Sequence, residues 1–345
     1  MDVGAPVSAA KNPVLVRIVD IGSNSVKASL YMMEGGAHRL VSRSKLDYSP
    51  GNAVFPRGAI PDSGLAKIAA FIRDSGARAA LRPHFTFALA TSAVRSARNR
   101  DAFVKRLSAE TGVEVRVLSG AEESFLIHAG ILAGAARKPR GVIKTIDIGG
   151  GSAEVSWSRD GRFLFGRSYE LGAIRLARHF SDGKPYTHEG LARIHDFAME
   201  QFRARSPAEA PAANRAIGSS GNLRAIGRMV QKMRSRAFLG RIAEVTPGTL
   251  EDIAEMSVGL TPAGVAEAFD LPPERARIIL PAVMVLLASL RHFGVPRLEI
   301  AEAGLREGAA AYWCRHGHLN LPVLEEHESQ AQAVAAPRRK IRKAR

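Results

Sequence analysis

Hydrophobic and polar positions change period several times along the chain, and each change marks an element. "VLVRIVDIG" (14–22) is a short apolar run closed by glycine, the pattern of a buried strand. Beyond it Val26, Ala28 and Leu30 alternate with Lys27 and Ser29, a period of two. That predicts a second strand and so a hairpin, rather than a nucleotide-binding loop that opens a helix. "GVIKTIDIG" (141–149) and "AEVSWS" (153–158) repeat the arrangement around another small turn. Between the two hairpins the period lengthens and shortens in turn. "PDSGLAKIAAFIRDSGA" (61–77) predicts a helix, "HFTFALA" (84–90) a strand, and "TSAVRSARN" (91–99) a helix start with Thr91 or Ser92 near the N-cap. "DAFVKRLSAETG" (101–112) predicts a helix closed by Gly112, "VEVRVLSG" (113–120) a strand, and "AEESFLIHAGILAGA" (121–135) a helix. The second half continues with helix, strand and turn, including "RAIGSSGNLRAIGRMV" (215–230), and ends in helices around 249–268 and 274–293. Alternating strands and helices predict an α/β fold.

The glycines need a reason of their own. Glycine weakens a strand, so three in a row at 149–151 imply a tight turn or close approach to the backbone. "VDIGSNSVKA" and "IDIGGGSAEV" are two copies of one device: apolar strand, Asp-Ile-Gly, small polar turn, returning strand. The copies stand about one domain apart, and their repetition suggests one ligand gripped from both sides. Turn backbones of this kind present N–H groups to anionic oxygens.

Composition narrows the class. The chain of 345 residues is long enough for two domains. No apolar run is long enough for a transmembrane helix, and the N-terminus lacks a signal-peptide core. A single cysteine, Cys314, excludes an internal disulfide and reads as a packed residue near a helix end. These features predict a cytoplasmic protein without membrane contact. The net charge of +16 implies polyanionic company. The tail "PRRKIRKAR" (337–345) holds six cations, so the rest of the chain still carries +10. Residues 325–345 are expected to form a disordered basic tail. No helix-turn-helix, zinc finger or ribonucleoprotein motif is present, so no specific nucleic-acid partner is expected.

Seven motifs then occur in a fixed order: "DIGSNSVK" (20–27), "ATSAVRSARN" (90–99), "LSGAEES" (118–124), "DIGGGSAEV" (147–155), "ELGAIRL" (170–176), "GSSGNLRA" (218–225) and "GLREG" (304–308). In this order they resemble the exopolyphosphatase and guanosine pentaphosphate phosphohydrolase (Ppx/GppA phosphatase) family over roughly residues 14–315. The resemblance implies two ribonuclease-H-like domains of the actin, Hsp70 and hexokinase superfamily with an interdomain cleft. The domains are expected at 14–140 and 141–315. It also implies a phosphoanhydride hydrolase that is dependent on Mg²⁺ or another hard divalent cation. A homodimer is compatible with it.

Residue roles follow the same motifs. Gly22, Ser23, Asn24, Ser25 and Lys27 would hold phosphate on one wall, and Gly149, Gly150, Gly151 and Ser152 on the other. Arg95, placed in the first turn of a helix, would add a planar phosphate-binding fork. The resemblance assigns Asp147 and Glu154 to the metal-facing wall, with Asp20 as a third member through water. Asp before Gly is also ordinary turn chemistry. Glu123 is the expected general base; Glu122 is the alternative, since adjacent helical residues point to different sides. Either glutamate would also stabilise a helix start with no further role. The chain departs from the family at Lys27, at Glu302 in "AEAG" and at Val283, changes that bear on substrate preference more than on the phosphate turns. The expected activity is exopolyphosphatase, releasing orthophosphate from inorganic polyphosphate. The alternatives are a pppGpp 5′-phosphohydrolase and, in another class, a non-catalytic polyphosphate or nucleotide sensor.

Overall fold

A computed structural model describes residues 13–77, 82–135, 139–181, 184–207, 210–213, 215–233, 244–322 and 324. The basic tail at 325–345 and the leader at 1–12 lie outside the described residues. The first half runs β1 (Val14–Ile21), β2 (Val26–Glu34), β3 (Ala37–Leu46), α1 (Pro50–Arg57), α2 (Asp62–Ala77), β4 (Phe85–Ala90), α3 (Ser92–Arg95), α4 (Arg100–Thr111), β5 (Val115–Val117) and α5 (Gly120–Gly134). The second runs β6 (Val142–Ile148), β7 (Ala153–Arg159), β8 (Arg162–Tyr169), α6 (Ala173–Phe180), α7 (His188–Arg205), β9 (Ala216–Ser219) and α8 (Gly221–Met233). It closes with α9 (Pro247–Ser257), α10 (Pro262–Phe269), α11 (Pro273–His292), β10 (Leu298–Ala301) and α12 (Leu305–His316).

The two halves repeat one sheet. The first has strand order β3-β2-β1-β4-β5 and the second β8-β7-β6-β9-β10. In each, three antiparallel strands precede two that run parallel to the first. The repetition is that of two ribonuclease-H-like units, as the resemblance implies. Asp20 faces Lys27 across the first hairpin, and Asp147 faces Glu154 across the second. Equivalent registers place the two turns at the same edge of their sheets, beyond the C-terminal ends of β1 and β6.

The third strand of each meander escapes the hydrophobic pattern. β3 is an edge strand exposed along most of its length, so it carries no alternation to detect. The helical stretch at 249–268 is two helices. Gly259 adopts φ +75°, a left-handed conformation, and Thr261 then caps α10 through Gly264 N–H at 3.1 Å. The strand at 113–120 is only three residues long, because Ser119 already caps α5.

One element crosses between the halves. α12 follows the second sheet, yet Ala309, Ala310, Trp313 and Cys314 share a buried cluster with Val16, Ile18 and Leu126. Its approach to α5 is very close. A Cβ on Gly308 would lie 1.8 Å from the Leu126 carbonyl oxygen, and one on Gly130 would lie 2.0 Å from that of Gly304. Glycine at both positions lets the two backbones touch. The N-terminus of α12 is thereby carried to the cleft.

Candidate functional site

The two hairpin turns meet at the bottom of a cleft between the sheets. The cleft is lined by Asp20, Gly22, Ser23, Asn24, Ser25 and Lys27 from one side and by Asp147 and 149–152 from the other. Glu123 reaches it from the start of α5. The structure therefore brings together most of the residues picked out by the two motifs. Arg95 and Glu154 are not among the residues that line it.

None of the four turn glycines has a positive φ. Their role is close approach. A Cβ on Gly151 would stand 2.5 Å from Ser23 Oγ and 2.6 Å from Ser92 Oγ; one on Gly150 would stand 2.9 Å from Ile174 Cδ1. The glycine triplet lets the second turn seat against the first half. The N–H groups of Gly22 and Gly149 are spent inside their own turns, donating to Ser25 O at 3.2 Å and Ser152 O at 2.9 Å. Those of Ser23, Asn24, Gly150 and Gly151 make no hydrogen bond among the described residues and can serve anionic oxygens.

The paired glutamates divide their work as a helical step of about 100° requires. Ser119 is the N-cap of α5, and its side chain accepts from Glu122 N–H at 3.1 Å. Glu122 returns the bond, accepting from Ser119 N–H at 2.8 Å, and pairs with Arg116. It is a capping-box residue facing away from the cleft. Glu123 turns inward and is 7% exposed. Arg95 Nη1 donates to Glu123 Oε2 at 2.9 Å and to the Leu118 carbonyl at 2.7 Å. Arg95 ends a four-residue helix instead of opening a long one, so its orientation comes from these partners and not from a helix dipole.

Four carboxyl groups gather here, Glu123 and Glu154 buried and Asp20 and Asp147 half-buried. Burial, then Glu154, raise Glu123 to about 8, against a smaller downward pull from Arg95. Burial, then Asp147, raise Glu154 to about 7, and Ser168 Oγ donates to its Oε1 at 2.8 Å. Burial and Glu123 push Asp147 well above the usual carboxylate range. Burial also raises Asp20, with Lys27 pulling it back. Each group disfavours ionisation of its neighbour. Such an oxygen-only donor set suits a hard divalent cation held by one or two carboxylates and completed by water and substrate. Among the described residues, no three His, Cys, Asp or Glu side chains converge as a complete metal cage.

The cleft also gathers cations, and these were only partly legible in the sequence. Arg224 and Arg306 lie inside quoted motifs, whereas Arg275 lies in none. Arg275 follows the start of α11 and donates to Asn222 Oδ1; Asn222 in turn donates to Ile148 O at 2.8 Å. Arg306, from the first turn of α12, donates to Ser29 Oγ. Lys27 completes the group. Among the described residues, none that lines the cleft is aromatic.

The fold and cleft define a class: α/β proteins of two repeated five-stranded units whose paired glycine turns meet in one cleft. Within that class the chain belongs to the Ppx/GppA phosphatase family, whose model matches residues 36–315. The chain is similar to Exopolyphosphatase 1 of Mycobacterium tuberculosis, 29% identical over 300 residues covering 84% of this chain and 86% of that protein. Exopolyphosphatase 1 of Mycobacterium leprae is 27% identical over 337 residues, covering 95% and 94%. Among solved structures, the Aquifex aeolicus family member aligns with a TM-score of 0.72 at 20% identity, covering 87% of this chain and 97% of that one. An exopolyphosphatase from Cytophaga hutchinsonii aligns with a TM-score of 0.74 at 20% identity, covering 88% and 98%.

Proposed function

We propose that the protein is an exopolyphosphatase that removes the terminal phosphate of inorganic polyphosphate. The observation that carries the reading is the inward-facing Glu123, oriented by Arg95 at the junction of two glycine turns. The printed names of the mycobacterial relatives support the same activity. Phosphate oxygens would be held by the uncommitted N–H groups at 23–24 and 150–151, with Lys27, Arg224, Arg275 and Arg306 facing the chain's negative charge. Glu123, as carboxylate, orients a water and takes its proton as the oxygen attacks the terminal phosphorus. The bridging P–O bond breaks, orthophosphate leaves, and the shortened chain carries off the bridging oxygen. Arg95 is the positioning residue: it holds the Glu123 carboxylate and favours its ionised form.

Mg²⁺ would be held at Asp147 and Asp20, with Glu154 beside Asp147. When bound, the ion supplies charge neutralisation at the transferring phosphate. The cation would also relieve the mutual repulsion of these carboxyl groups.

Hydrolysis of pppGpp uses the same chemistry and is the second reading. Among the described lining residues none is aromatic, so they offer a purine no stacking platform, which favours polyphosphate. A non-catalytic sensor would have no use for a buried glutamate aimed at the site. Phosphate release from long polyphosphate, tripolyphosphate and pppGpp, each with and without Mg²⁺, decides among these readings. Preferential release from pppGpp would move the nucleotide reading ahead. Tight binding of polyphosphate without release would support the sensor.

A further inference from the structure

The motif "ELGAIRL" (170–176) leads into α6, and none of its residues lines the cleft. It nevertheless bears on the second glycine turn. A trans peptide points its C=O and its N–H in opposite directions. The carbonyls of Gly149, Gly150 and Gly151 therefore set where the N–H groups of Gly150, Gly151 and Ser152 aim. Glycine by itself leaves such peptide planes free to turn.

The start of α6 holds all three carbonyls. The helix has no side-chain cap, and its first N–H groups go to the turn instead. Ala173 N–H donates to Gly149 O at 3.0 Å, and the N–H groups of Ile174 and Arg175 donate to Gly150 O at 2.8 and 3.2 Å. A Cβ on Gly172 would lie 2.2 Å from the carbonyl carbon of Gly151, so glycine at the N-cap lets the helix sit against the turn. A side chain takes the third carbonyl: Arg175 Nε donates to Gly151 O at 2.9 Å.

The same guanidinium crosses to the other half of the molecule. Its Nη2 donates to Ser96 Oγ at 3.1 Å, and its Cζ stands 4.5 Å from the centroid of the Phe55 ring. Glu170 pairs with Nη2 at 3.3 Å. Ser96 follows Arg95, the residue that holds Glu123. The planar fork thus spends its donors on protein oxygens, with the phosphate turn on one side and the support of the base on the other. We propose that Arg175 is a positioning residue for the reaction. It locks the Gly151–Ser152 peptide with its N–H toward bound phosphate and sets that turn in register with the Arg95–Glu123 pair. Without it the peptide can rotate and present a carbonyl to phosphate oxygens, a repulsive contact. The inference rests on the phosphatase reading above and adds a residue to it.

Arg175→Met, Arg175→Lys and Arg178→Met in the full-length protein, assayed on tripolyphosphate with orthophosphate as inhibitor, test this. Arg178 is the control: it lies on the same helix and also crosses between the halves, but donates to Asn52 Oδ1 at 3.1 Å instead of to the turn. Arg175→Met should lower kcat/KM by about tenfold or more, toward the roughly 10²–10³-fold cost of losing one preorganised donor, and should raise the orthophosphate inhibition constant. Arg175→Lys, a point charge in place of a fork, should recover only part of both, and it carries the test if the methionine variant does not fold. Arg178→Met should leave both constants unchanged. Melting curves verify folding of each variant. Equal losses in the Arg175 and Arg178 variants, full recovery with lysine, or an unchanged orthophosphate constant in a folded Arg175→Met variant overturns the proposal. Wild-type protein that releases no phosphate would sink the phosphatase reading instead; calorimetric titration of orthophosphate into the same variants would then still decide the role of Arg175.

Discussion

Arg95 Nη1 and Glu123 Oε2 stand 2.9 Å apart, joining the short helix after β4 to the first turn of α5. The contact ties the expected phosphate-binding arginine to the expected base. It holds the carboxylate in place and lowers the cost of ionising it in a buried position. Replacing Arg95 with Met should therefore act through Glu123. The rising limb of kcat/KM against pH should move to higher pH, with about tenfold lower activity near neutrality for each unit of displacement. Activity should recover partly in alkaline buffer. A uniform loss at every pH would assign Arg95 to substrate binding alone.

Glu123→Gln should retain polyphosphate binding and lose about 10²–10⁴-fold in turnover, as expected for loss of a general base. Glu122→Gln should keep most activity, since that side chain caps α5 and pairs with Arg116. Any loss there should appear as thermal stability, on the order of 1 kcal/mol or less. Steady-state kinetics beside melting curves separates the two; collapse of turnover only in the Glu122 variant would reverse the assignment.

Stability should depend on pH in a direction set by the buried carboxyl groups. Glu123 and Glu154 titrate near 8 and 7 in the folded chain, above the ordinary value of 4.5. Between about pH 5 and pH 8 the folded state keeps protons that the unfolded chain has released, so stability falls as pH rises through that window. Saturating Mg²⁺ should flatten the fall by favouring the ionised forms. Asp147→Asn should weaken this Mg²⁺ effect and raise the Mg²⁺ concentration needed for activity. Melting temperature against pH, with and without the ion, is the measurement; an identical slope in both conditions would remove these carboxylates from a metal role.

Gly308→Ala should propagate from packing to the cleft. A methyl group there meets the Leu126 carbonyl at 1.8 Å, so α12 must shift away from α5. Overpacking of this kind costs about 1–3 kcal/mol or more. Because Arg306 rides on the same helix, KM for polyphosphate should rise together with the loss of stability. Unchanged KM in a destabilised but folded variant would show that the cleft does not depend on this crossing.

Much of the site was legible in local pattern. The two Asp-Ile-Gly hairpins are visible because period-two alternation follows each apolar strand, and the start of α5 is visible from the paired acids of "AEES", whereas Ser119 reads as the end of a strand and only the structure makes it the N-cap. Strands β3 and β8 were missed, the former because an exposed edge strand carries no hydrophobic period. By itself the sequence determined the repeated hairpin, with Asp20 and Asp147 at the entry to its two turns, and the presence of paired glutamates at the head of a helix; the Asp20–Lys27 and Asp147–Glu154 registers are set by the sheets. Tertiary structure decided what those residues face. It turned Glu122 to the cap and Glu123 to the cleft, and set Arg95 against the carboxylate. It gave the glycine triplet its steric purpose against Ser23 and Ser92, and it brought Arg275 and Arg306 to the same cavity from distant helices. The physical reason is range. Capping, turns and alternation are fixed by neighbours a few residues apart, whereas convergence on a cleft depends on packing between elements hundreds of residues apart, as with Arg306 and Ser29.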